Sequence, residues 1–259
     1  MRKTVIALLA LASTAAFLAA PASATVLLSE GFAYSDGNLV PNGGWATHSG
    51  AGGIDIQVVS SRAVGNMNNA PDDNRSFTAQ PTTAPTYACF EVTIPNPNGS
   101  PHPNYFAHLK DTGTSNFFAR VYVVPVGASG FTFGLTFGAT SATVAPVPWS
   151  ASSLNYDTPY QIVIKYDPAS VTATMWVNPA SEASPSISHT GTGSGISISS
   201  FALRQSASAP TLPSGYPAGS VWWTYSVDNV GAGTTFDDAC YQATPTKGST
   251  WGEIKSIYR

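Results

Sequence analysis

Phe131, Phe133, Leu135 and Phe137 alternate with Thr132, Gly134 and Thr136, and that alternation constrains this chain more than any other feature. Successive side chains on a strand point to opposite faces, so the run has one greasy face and one small or polar face, as in a half-buried antiparallel sheet. The period recurs at Phe90-Val92-Ile94, Tyr105-Ala107-Leu109, Val121-Val123, Ile162-Ile164-Tyr166, Val171-Ala173-Met175-Val177, Phe201-Leu203 and residues 221–230. Turn chemistry separates these runs: Pro95-Asn96-Pro97-Asn98-Gly99, Gly127-Ala128-Ser129-Gly130, Asp167-Pro168, Asn178-Pro179 and residues 191–195. With 23 Gly and 20 Pro among 259 residues, a helical bundle is excluded. Many short strands joined by Gly/Pro turns predict an all-β, antiparallel β-sandwich of two facing sheets, with no helix longer than about three turns.

The first residues read as a segment apart from the fold. Met1-Arg2-Lys3 is positive, residues 4–20 are apolar, and Pro21 with Ala22-Ser23-Ala24 completes the pattern of a secretory signal peptide cleaved after Ala24. The expected organisation is a signal peptide over 1–24, a sandwich domain over 25–240, and a linker with a short tail over 241–259. In the tail, Trp251, Ile254 and Ile257 or Tyr258 recur at helical spacing. Export predicts a secreted or cell-surface protein, and it permits a disulfide between Cys89 and Cys240, the two cysteines. Two unpaired buried thiols are the alternative.

Charge excludes some partners. Charged residues make up 10% of the chain, against about 25% in an average domain. With a net charge of −3 and no basic run, the sequence offers nothing to hold a nucleic-acid backbone. The four histidines, His48, His102, His108 and His189, lack the paired spacing of a transition-metal site. Asp72-Asp73-Asn74 and Asp237-Asp238 read as turns.

Several segments resemble one family. The opening Leu28-Ser29-Glu30-Gly31-Phe32-Ala33-Tyr34-Ser35-Asp36-Gly37-Asn38-Leu39 is followed by Gly43-Gly44-Trp45. Tyr105-Phe106-Ala107-His108-Leu109 and Val227-Asp228-Asn229-Val230-Gly231 follow in the same order. Together they resemble bacterial secreted jelly-roll domains of the concanavalin-A-like, laminin-G-like superfamily, over roughly residues 26–238. The resemblance implies a jelly roll. It leaves function open among lectins, carbohydrate-binding modules, glycosidases, polysaccharide lyases and adhesive domains. It also implies a structural calcium shared by Glu30 and Asp228, with ordinary turn and edge chemistry as the alternative.

The residues weigh against hydrolysis. Laminarinase-like jelly rolls set their carboxylates on one strand as Glu-x-Asp-x-x-Glu. The four Glu here, Glu30, Glu91, Glu182 and Glu253, have no acidic partner two residues away. Alginate-lyase-like jelly rolls work instead with Arg, Gln, His and Tyr on a concave sheet. His108, Lys110, Arg120, Tyr122, Gln161, Lys165 and Arg204 supply such types, but the Gln-x-His strand motif is missing.

A binding face accounts for the same residues with fewer demands. By alternation, His108, Arg120, Gln161, Trp176 and Arg204 lie on the less apolar sides of their strands. If they converge on one curved sheet, Trp176 is the apolar platform and the others donate hydrogen bonds to a sugar. The expectation is an exported, non-enzymatic domain that binds polysaccharide or a cell-surface glycan, or adheres to a surface. A lyase or hydrolase on the same fold is the alternative, and a structural surface protein without a small ligand is a third reading.

Overall fold

The computed structural model describes residues 24–50, 52–138, 144–206 and 219–240. Residues 1–23 of the expected signal peptide and the whole C-terminal tail therefore lie outside the described residues. The strands run β1 (Val26–Glu30), β2 (Gly37–Asn38), β3 (Trp45–Ser49), β4 (Gln57–Val59), β5 (Arg62–Asn66), β6 (Asp72–Ser76), β7 (Thr86–Thr93) and β8 (Asn104–Lys110). They continue with β9 (Phe117–Val126), β10 (Gly130–Gly138), β11 (Val147–Pro148), β12 (Pro159–Asp167), β13 (Thr172–Val177), β14 (Ile187–Thr190), β15 (Ser200–Leu203) and β16 (Thr224–Gly233). A five-residue helix, α1 (Phe236–Cys240), follows the last strand.

The fold is the all-β antiparallel jelly-roll sandwich that the alternation predicts. One sheet has nine strands in the order β14-β13-β12-β7-β16-β5-β4-β2, with β1 joining along β16. The other has seven, in the order β11-β10-β9-β8-β15-β6-β3. Between them lies one core, to which β10 contributes Phe131, Phe133, Leu135 and Phe137, β12 contributes Ile162, Ile164 and Tyr166, and β7 contributes Phe90 and Val92. Each of these side chains is almost fully buried, and burying one is worth about 1.5–3 kcal/mol.

One strand whose residues read as a turn is polar and still pairs. Asp72-Asp73-Asn74 is not a turn: it forms most of β6, and all three residues are buried. Hydroxyl partners compensate: Thr47 donates to Asp73 Oδ1 at 2.9 Å and Ser49 to Asp72 Oδ2 at 2.7 Å, both from β3. Asp237 and Asp238 are likewise not turn residues but lie in the first turn of α1, where carboxylates favour the helix N-terminus.

Cys89 on β7 and Cys240 at the end of α1 are disulfide-bonded, with Cα atoms 5.1 Å apart. The bond holds α1 against the outer face of the nine-stranded sheet, over a second small core of Tyr87, Val163, Trp176, Phe236 and Ala239.

Candidate functional site

The outer face of the seven-stranded sheet is set by irregularities in β8 and β9. The β8–β9 pairing shifts register between Tyr105 and Ala107 and again between Ala107 and Leu109. In β9, Ala119 sits at φ 49°, a left-handed conformation that marks a bulge. As a result Phe106, Ala107 and Leu109, and then Phe118, Ala119, Val121 and Val123, all reach the core. Tyr105, His108 and Lys110 turn to the opposite face, together with Phe117, Arg120 and Tyr122. On β10 the alternation holds, so Thr132 and Thr136 share that face.

There the side chains form an aromatic and basic cluster. The His108 ring lies 4.5 Å from Phe117, 5.6 Å from Tyr105 and 5.8 Å from His48 on β3, centroid to centroid. Tyr105 also contacts Tyr122 at 5.5 Å. Guanidinium groups approach the Tyr105 ring, that of Arg204 at 4.1 Å and that of Arg120 at 4.9 Å, within cation–π range. Arg204 donates to Asn104 Oδ1 at 2.7 Å and pairs with Asp72 at 3.8 Å.

Burial sets the charge states. Desolvation, with Lys110 nearby, lowers His48 to about 4. Desolvation also holds His108 well below the usual histidine range, helped by His48, Arg120, Arg204 and Lys110. Both rings are therefore neutral at pH 7, each with one donor and one acceptor nitrogen. Burial pushes Asp72 up to about 6, against the opposing pull of Arg204.

Several polar atoms of this face have no partner among the described residues. Both ring nitrogens of His48 and of His108, Arg120 Nε, Thr132 Oγ1 and Thr136 Oγ1 are buried without a hydrogen bond. Leaving such a group unpaired costs about 1–3 kcal/mol. Beyond Thr132 the face opens into a recess of about 300 Å³ lined by Val124, Val126, Thr132, Pro148 and Ser150.

The five expected ligand residues do not share one surface. His108, Arg120 and Arg204 come together on the seven-stranded sheet, whereas Gln161 on β12 and Trp176 on β13 belong to the other. Gln161 is exposed there, opposite Glu91. Trp176 is 3% exposed and is not an open platform: it packs edge to face on Phe236 at 5.5 Å, and its Nε1 donates to the Glu182 carbonyl. The covering residue lies sixty positions further on, beyond the reach of local alternation. His48, Tyr105 and Phe117 escape sequence reasoning. Their signals are a polar strand without alternation and two bulges that reverse the phase.

At the positions expected to share a calcium, Glu30 and Asp228 each meet an arginine. Glu30 accepts from Phe32 N at 2.7 Å, Tyr34 Oη at 2.8 Å and Trp45 Nε1 at 3.0 Å, and it also pairs with Arg75. Both its oxygens are thus committed to donors, one of them cationic. Asp228 faces Arg62 at 3.4 Å. Among the described residues no group of three or more His, Cys, Asp or Glu side chains converges as a metal site.

No protein-family model matches the chain, and no curated protein matches it. Solved structures of similar fold include one described as a sialidase, at 12% identity and a TM-score of 0.50. That match covers 81% of this chain but 19% of the other, so the chain spans about a fifth of that protein. A second is the CBM2 module of the evolved Dit of Lactobacillus casei BL23 phage J-1. There the identity is 12% and the TM-score 0.50, over 82% of this chain and 96% of that one. At these identities the likeness is one of fold.

Proposed function

We propose that the protein binds a carbohydrate chain laid across the outer face of the seven-stranded sheet. The observation that carries this reading is the run of buried, unpartnered polar atoms from His48 and His108 through Arg120 and Thr136 to Thr132, set among the rings of Tyr105, Phe117 and Tyr122. Sugar hydroxyls both donate and accept, and a sugar's C–H face packs on aromatic rings, which is the complement that these buried polar groups and rings lack. The recess beside Thr132 gives room for a further sugar unit at one end. The fold likeness to a module titled as CBM2 supports the reading, as does the motif resemblance to concanavalin-A-like jelly rolls. The disulfide fits an exported protein.

Affinity electrophoresis against a panel of soluble polysaccharides tests it. Retardation by at least one polymer, abolished in His108→Phe, is expected; unretarded migration in every gel contradicts it. A second reading, a polysaccharide lyase, is favoured by one observation: a neutral His108 beside Tyr105 between two arginines. Lyase turnover releases unsaturated uronates that absorb in the ultraviolet, and their absence with a bound polymer leaves binding alone.

A further inference from the structure

The charge of the ligand follows from Arg120. The residue is 8% exposed, and its Nε is buried without a hydrogen bond. Ion pairs occupy Arg62, Arg75, Lys165 and Arg204, but among the described residues Arg120 has neither an ion pair nor a side-chain hydrogen bond. Its neighbours are the rings of Tyr105 and Phe117, at 4.9 and 5.7 Å. Cation–π contact offsets only part of the cost of desolvating a guanidinium.

The rest of the face adds positive charge. Lys110 is 2% exposed and donates to the Asp111 carbonyl. Arg204 shares Asp72, and that carboxylate is already engaged by Ser49 and by the Gln205 amide. Among the described residues no carboxylate pairs with Arg120. A largely enclosed guanidinium without an ion pair suits an anion from outside the chain, and its planar fork takes carboxylate or sulfate oxygens in pairs.

We infer that the saccharide bound on this face is anionic, with a carboxylate or sulfate group seated against Arg120 and its ring packed along Tyr105 and Phe117. The inference rests on the carbohydrate-binding reading above and narrows it to acidic chains.

The experiment compares acidic polymers with their neutral counterparts. The purified protein is run in gels containing polygalacturonate or alginate and their carboxyl-reduced forms, and a sulfated galactan with its desulfated form. The expected result is retardation by an acidic polymer that is lost when its charge is removed, and that weakens at least about tenfold in Arg120→Gln. The carboxylate and sulfate arms identify which acid group is read. Arg62→Gln, on the opposite sheet, is expected to leave retardation unchanged. Equal loss in that variant would mean diffuse polyanion attraction and overturn the inference.

Equal binding of a neutral counterpart, or undiminished binding by Arg120→Gln, also overturns it while leaving the carbohydrate reading intact. Binding of no polymer at all defeats the carbohydrate reading itself. If Arg120→Gln does not fold by circular dichroism, Arg120→Lys and the salt dependence of the wild type decide. Partial retention by Arg120→Lys and weakening with rising salt support the inference, whereas affinity insensitive to both overturns it.

Discussion

The rings of His48 and His108 meet edge to face, 5.8 Å between centroids, although two strands separate those that carry them. The row His108–Ala202–Asn74–Ala46 crosses β8, β15, β6 and β3. Among the described residues neither ring nitrogen of either histidine has a partner, and both rings are neutral at pH 7. The pair adjoins the basic cluster of Lys110, Arg120 and Arg204.

That pair makes the fold sensitive to acid. Both histidines titrate below their unfolded value of about 6.5, His48 at about 4 and His108 well below its ordinary range. The unfolded chain therefore takes up protons first. The stability these groups contribute is present above pH 6.5 and is lost as pH falls through the folded value. His108→Gln is expected to lose less melting temperature than the wild type between pH 7 and pH 5, measured by differential scanning calorimetry in parallel buffers.

Asp73 works in the opposite sense. Burial, and then the neighbouring Asp55 carboxylate, raise it from 3.8 to about 7, so the folded state holds a proton that the unfolded chain releases. Its contribution is complete below about pH 4 and is lost as pH rises through 7. Asp73→Asn is expected to gain on the wild type between pH 5 and pH 8. Urea midpoints across that range measure the gain; a difference independent of pH would contradict it.

Trp176 separates stability from binding. It is buried under α1, so Trp176→Ala is expected to cost about 3–5 kcal/mol in chemical denaturation. Retardation by a bound polysaccharide should be unchanged below the melting transition. Loss of retardation by a folded variant would return Trp176 to the binding surface.

Glu30 is a structural anchor in this account. It ties β1 of the nine-stranded sheet to Trp45 and Arg75 on β3 and β6 of the other. Glu30→Ala leaves the Arg75 charge uncompensated and is expected to destabilise by about 3–5 kcal/mol. Adding a calcium chelator to the wild type should leave its melting temperature unchanged; a marked drop would restore a cation at this position.

The legibility of the fold depended on which forces shaped each strand. In β10 a single period of two runs from Phe131 to Phe137 because one face meets the core, and the sheet order did not matter to it. In β6 the pattern vanishes, because Asp72 and Asp73 are buried through partners on β3 that lie more than twenty residues away. The site was half legible. His108, Arg120 and Arg204 follow from polar alternation, but Phe117 joins them only through the bulge at Ala119, which local spacing does not encode. Alternation turns Trp176 away from the main core, as observed, but it does not reveal the cover, Phe236, which comes from α1 and is held there by the Cys89–Cys240 bond.

The most direct test of the central claim is a nuclear magnetic resonance titration of histidine-labelled protein with a polysaccharide that retards it in gels. His48 and His108 stand in the aromatic and basic cluster, while His102 contacts Trp222 and His189 accepts from the Phe137 amide. Binding on this face gives saturable shifts of the His48 and His108 ring signals, with His102 and His189 unmoved. Shifts confined to His102 or His189, or a bound polymer that moves none of the four, would place the ligand elsewhere and contradict it.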